Sequence, residues 1–83
     1  MYMYRPSRII PLAMLPEGVR GIIVKIIGGR GLVRRLTEMG FTPGIEVTVL
    51  KSSFQGPILA MIRGSRIVIG RGVAMKILVE VGG

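Results

Sequence analysis

The chain is built of short β-branched runs, each soon cut off by glycine, proline or a charged turn. "GIIVKII" (21–27), "IEVTVLK" (45–51), "PILAMIR" (57–63), "RIVIG" (66–70) and "ILVEV" (77–81) have the Val and Ile density of strands. Successive side chains of a strand point to opposite faces, so the alternation assigns an inside and an outside. In the first run Ile22, Val24 and Ile26 share one face, and Ile23, Lys25 and Ile27 the other. In the second, Ile45, Val47 and Val49 point inward while Glu46 and Thr48 point outward. A tight hairpin through Gly64 and Ser65 joins the third run to the fourth. "GVAMK" reads as a helical turn leading into the last strand.

One stretch changes period. In "GLVRRLTEMG" (31–40), Leu32, Leu36 and Met39 fall at i, i+4 and i+7, the stripe of a helix that Gly40 is placed to end. A helix this short is not stable alone and must lay its stripe on a sheet. Thr42-Pro43-Gly44 then fits a tight turn, with Pro43 at the second position and Gly44 at the third. The 83 residues include no cysteine and no histidine, so no disulfide, thiolate or imidazole braces the fold. A chain of this length buries only about 60–65% of its unfolded surface, so edges are costly to leave open. The expected fold is therefore mainly β: a small SH3-like β-barrel of about five strands, with one short helix inserted after the first strand. An open sheet with a helix across one face is the competing shape.

Residues 1–8, "MYMYRPSR", read as a flexible leader, and 9–83 as a single domain. "PLAMLPEG" spaces Leu12 and Leu15 for one short helical turn. "RIIPLAML" is basic-flanked and apolar, but Pro11 interrupts it and no small-residue cleavage site follows, so it is not read as a signal peptide. No apolar run approaches the roughly 18 residues that span a bilayer. A cytoplasmic protein with no direct membrane insertion is expected.

Twelve Lys and Arg against four acids give a net charge of +8, which suits an anionic partner: nucleic acid, headgroups or an acidic protein face. Catalysis has little to work with. Glu17, Glu38, Glu46 and Glu80 are scattered over different elements, and no Ser-x-x-Lys pair occurs. "GGRG" (28–31) lacks the Gly-Lys-Ser/Thr ending of a phosphate loop and reads as a turn. Met14, Met39, Met61 and Met75 read as core filler rather than soft metal ligands. No catalytic residue, metal ligand or cofactor is expected.

The segment "GLVRRLTEMGFTPGIEV" follows the pattern G-x-x-x-R-L-x-E-x-G-[FL]-x-P-G-x-x-V and resembles the FeoA domain, the ferrous iron transport protein A family. "LAMLPEGVRGIIVKI" and "GPILAMIRGSRIVIGRGVAMKILVE" extend the resemblance over about Ile10 to Val81. It marks Gly31, Leu36, Gly40, Pro43 and Gly44 as structural positions of the motif. It implies an SH3-like cytoplasmic barrel, not an enzyme, accessory to the membrane GTP-binding ferrous iron transporter FeoB. A similar domain ends some iron-dependent repressors, but no helix-turn-helix region accompanies it here. "RGVAMKI" lacks the acids frequent at this place in the family, and +8 is high for it. Both keep a second reading open, a small basic barrel binding RNA or DNA. Against that reading, Tyr2, Tyr4, Phe41 and Phe54 form no visible stacking cluster.

Two partner-binding surfaces follow. Arg34, Arg35 and Glu38 face away from the helix stripe, either as a basic contact patch for the transporter or as a solvated face with an Arg34–Glu38 pair. Leu50, Leu59 and Met61 alternate outward from the hairpin and are expected as an exposed apolar cluster for a partner or for self-association, unless loops of the barrel cover them.

Overall fold

The computed structural model describes Ser7 to Gly82. Six strands form one antiparallel sheet: β1 (Ser7–Pro11), β2 (Arg20–Ile26), β3 (Glu46–Ser52), β4 (Ile58–Ile62), β5 (Ser65–Ile69) and β6 (Ile77–Gly82). A 3-10 turn over Leu12–Met14 follows β1, helix α1 (Arg30–Glu38) follows β2, and the single-turn helix α2 (Arg71–Ala74) precedes β6. The strand order is β1-β6-β2-β3-β4-β5. Fifteen apolar residues drawn from β2 to β6, the 3-10 turn, Leu15, α1, α2 and Phe41 make one buried cluster, around which the sheet curls as an SH3-like barrel.

Three expectations need correction. Ser7 and Arg8, read from the sequence as part of the leader, pair with Gly82 and Val81 in β1; residues 1–6 and 83 lie outside the described residues. This additional strand makes six, and the helix comes after the second. The hairpin turns through Arg63 and Gly64, one residue earlier than expected. Ile62 pairs with Ser65, and the two turn residues have φ of 51° and 78°, the left-handed pair that a two-residue hairpin turn requires.

Regular alternation also fails twice, for one reason. The β2–β6 register shifts between Ile23 and Lys25, and the β3–β4 register between Val49 and Lys51. Each bulge adds an unpaired residue and bends its strand, which is how a sheet this small curls. In β2 the inward set becomes Gly21, Ile23 and then Ile26, so Ile22, Val24 and Ile26 do not share a face. An added Cβ at Gly21 would come within 3.1 Å of Val79 Cβ, a close approach that keeps β2 against β6.

The α1 end is built as the motif requires. Gly40 donates to the Thr37 carbonyl and Phe41 to the Leu36 carbonyl, the double closure of a left-handed helix stop. Gly40 has φ of +108°, and a Cβ there would meet Ile62 Cγ2 at 3.2 Å. Leu36 and Phe41, which flank the stop, are both buried in the core. The following turn is closed by Ile45 donating to Thr42, with Gly44 at φ +89°. It is stitched to β2 by Gly44 donating to Ile23 and Ile23 to Ile45. Leu36, Gly40, Pro43 and Gly44 thus set where α1 ends and how β3 begins. Gly31 sits exposed in the first turn of α1, where a Cβ would meet open space; nothing in the structure explains a glycine there.

Candidate functional site

Helix α1 lies over the β5 side of the barrel and only partly docks. Leu36 is buried, whereas Leu32 is half-buried and Met39 is exposed, so the predicted stripe is covered only in the middle. Between α1, the end of β5 and α2 this leaves a cleft of about 200 Å³. Leu32, Leu36, Met39, Val68 and Val73 line it, and Arg35 is its one charged lining residue. Val68, on the outer face of β5, is 64% exposed.

Arg34, Arg35 and Glu38 are exposed, as expected. The Arg34–Glu38 pair does not form. The ion pair found among the described residues is Arg20–Glu46, 3.3 Å apart and solvent-exposed, worth little to stability. Arg34 and Arg35 are therefore unpaired cations, and Arg35 borders the apolar cleft.

The hairpin surface differs from expectation. Leu50, Leu59 and Met61 are half-buried, not exposed. Leu50 is the extra residue of the β3 bulge, while Leu59 lies opposite Lys51 and Val68, and Met61 opposite Thr48 and Arg66. The cross-strand neighbours of Leu59 and Met61 cover part of each side chain. Met61 also lines a shallow cleft with Ile45, Thr48 and Arg63. The structure does not join these residues to α1 in one site. Val68, which sequence alternation could have marked as outward, connects the hairpin to the α1 cleft instead.

The methionines are not core filler. Met14, Met39 and Met75 are exposed and Met61 is half-buried, because the core is small enough for branched residues and Phe41 to fill it. Of the two phenylalanines, Phe41 is buried and Phe54, at 90% exposure, is free. One exposed aromatic among the described residues does not make a base-stacking platform. No group of three or more His, Cys, Asp or Glu is gathered for a metal among the described residues.

Sequence reasoning missed Arg71. Its guanidinium donates to the Gly56 carbonyl at 3.3 Å, the Ala13 carbonyl at 3.2 Å, Ser52 Oγ at 2.9 Å and the Ser53 carbonyl. Glu17 accepts from the Ser52 amide at 2.7 Å. Together they tie α2, the 3-10 turn and the β3–β4 loop into one end of the barrel. Arg71 is a structural cation, already satisfied. In the sequence it stands as one arginine among nine.

The fold is that of the small SH3-like barrels. A Stenotrophomonas maltophilia FeoA crystallised with zinc and described as an SH3 domain protein superposes with a TM-score of 0.75, at 23% identity, over 87% of this chain and 93% of that one. The crystal structure of an iron uptake regulatory protein, FeoA, matches more closely: TM-score 0.84 and 37% identity, over 89% of this chain and all of that one. In sequence, the Methanocaldococcus jannaschii protein named "Putative Fe(2+) transport protein A" is 44% identical over 70 residues, 84% of each chain. The FeoA domain model matches residues 10–81, and the chain belongs to the FeoA domain family.

Proposed function

We propose that the protein is a non-catalytic accessory module of ferrous iron uptake, which works in the cytoplasm by binding the cytosolic part of a FeoB-type, GTP-binding ferrous iron transporter. Membership in the FeoA family and the 44% identical relative named for Fe(2+) transport support the process. The observation that carries the binding role is the α1 helix, where Arg35 lines an open apolar cleft and neither it nor the exposed Arg34 has an ion-pair partner. Apolar area gives an interface its burial, and unpaired rim charges steer an acidic partner and select it. No helix among the described residues is long and apolar enough to cross a membrane.

The test is a binding titration of the intact protein against the purified cytosolic region of the transporter from the same genome. Saturable binding that weakens as salt rises is expected, because screening acts on exposed charges. Absence of binding to that region, with the protein folded, would contradict the reading. Tight, selective binding of RNA or DNA would favour the nucleic-acid alternative. Salt-dependent, non-selective binding of about 10⁻⁴ to 10⁻⁶ M is what positive charge alone confers.

A further inference from the structure

The barrel is not closed by hydrogen bonds: β5 pairs with β4 on one side, and no described strand pairs on its other. The register fixes which groups are left over. Ile62 and Ser65 close the two-residue hairpin, so Ala60↔Ile67 and Ile58↔Ile69 are also hydrogen-bonded pairs, while Met61↔Arg66 and Leu59↔Val68 are not. The N–H and C=O of Arg66 and Val68 therefore point away from β4, to the open edge. Neither residue enters any other hydrogen bond found among the described residues. An unpaired edge is a template for another strand, and small proteins usually blunt it with proline, inward charge or a covering loop. Arg66 supplies one charge here, but Val68 beside it is bare and the α1 cleft opens next to it.

We propose that β5 is completed by an extended segment of the partner, which pairs antiparallel or parallel with Arg66 and Val68, seats an apolar side chain in the Leu32–Met39–Val73 cleft and carries carboxylates that meet Arg35 and Arg66. Main-chain pairing supplies affinity and the cleft supplies selectivity, as in other recognition by strand addition. Charge settles the class of occupant. No acid lines the cleft, Arg35 borders it unpaired, and Glu38 is the single carboxylate of α1. A second copy of this chain would bring another +8 to the same edge, so an acidic segment of a different protein is favoured. That this protein is the transporter rests on the function proposed above; the strand-addition mode does not.

Two probes separate the two statements: the transporter's cytosolic region, and a fluorescein-labelled synthetic peptide of alternating valine and glutamate, each titrated against the full chain. Val68→Pro removes the edge-facing donor without touching the β4 ladder. Both probes should bind wild type, lose at least tenfold in affinity with Val68→Pro, and slow amide exchange at Arg66 and Val68. Should Val68→Pro lower the melting temperature, peptides N-methylated at alternate residues read the same ladder on the unchanged protein. One methylation parity should abolish binding and the other leave it. Failure of the valine–glutamate peptide to bind, or binding indifferent to Val68→Pro and to methylation parity, overturns strand addition. A wild-type dimer that Val68→Pro dissolves overturns the heterologous occupant. If the peptide binds at the edge but the transporter region does not, strand addition stands and the transporter reading falls.

Discussion

The two ends of the barrel use the same residue type for opposite purposes. At the α2 end, Arg71 directs its donors at three carbonyls and a hydroxyl and holds the loop that β3 and β4 share with the 3-10 turn. At the α1 end, Arg34 and Arg35 have no partner, and the apolar stripe beneath them is only half covered. One end is internally satisfied and presents little for another molecule to complete. The other leaves cations, apolar side chains and strand amides without internal partners. An arginine's role thus follows from whether the fold saturates its donors, not from its exposure or its place in a basic sequence.

The sharpest contrast in stability lies within α1 itself. Leu36→Ala should cost about 2–5 kcal/mol, the range for emptying a well-packed core site. Leu32→Ala, at the half-open edge of the cleft, should cost only about 1–2 kcal/mol, because less apolar area returns to water. Urea unfolding of both variants measures the difference; equal costs would mean that the cleft is closed in solution. The next effect down compares the arginines. Arg71→Gln should lose about 2 kcal/mol, since hydrogen bonds to a charged group are worth more than neutral ones and several carbonyls lose their donor together. Arg34→Gln should stay within about 0.5 kcal/mol, as a substitution on a solvated face does. An Arg71→Gln variant that melts like wild type would remove the distinction between the two ends.

Much of this architecture was legible in the sequence where local chemistry decides it. The α1 stripe, the Gly40 stop and the Pro43-Gly44 turn were visible because each depends on a residue type at a fixed spacing. The hairpin was visible too, though Arg63 in a left-handed turn position is not a residue that spacing selects. Strand β1 was missed because "SRIIP" has a proline and an arginine and gains its order from pairing with β6, far along the chain. The bulges at Val24 and Leu50 were missed because a register shift depends on the neighbouring strand; the first broke the Ile22–Val24–Ile26 face and the second took Leu50 out of the β3–β4 pairing, while Leu59 and Met61 keep the outward side of β4 and are half-buried there. Of the candidate site, Arg34, Arg35 and Glu38 were legible as an exposed helix face. The cleft was not, because it exists only where α1 meets β5 and α2. The role of Arg71 was hidden for the same reason, since its partners lie 15 to 58 residues away.

The central claim is that the α1 end, and not positive charge in general, recognises the partner. The direct measurement compares two double charge reversals in titrations against the transporter's cytosolic region. Arg34→Glu with Arg35→Glu alters the α1 face; Arg8→Glu with Lys25→Glu alters exposed positions on β1 and β2, away from the β5 edge of the sheet. Each pair lowers the net charge by four, from +8 to +4, and each should melt close to wild type. The α1 pair should weaken binding at least tenfold, mainly through slower association, while the β1–β2 pair should stay within about threefold. Equal losses in the two variants would show that the partner reads only overall charge, and an unaffected α1 pair would place the contact elsewhere on the barrel.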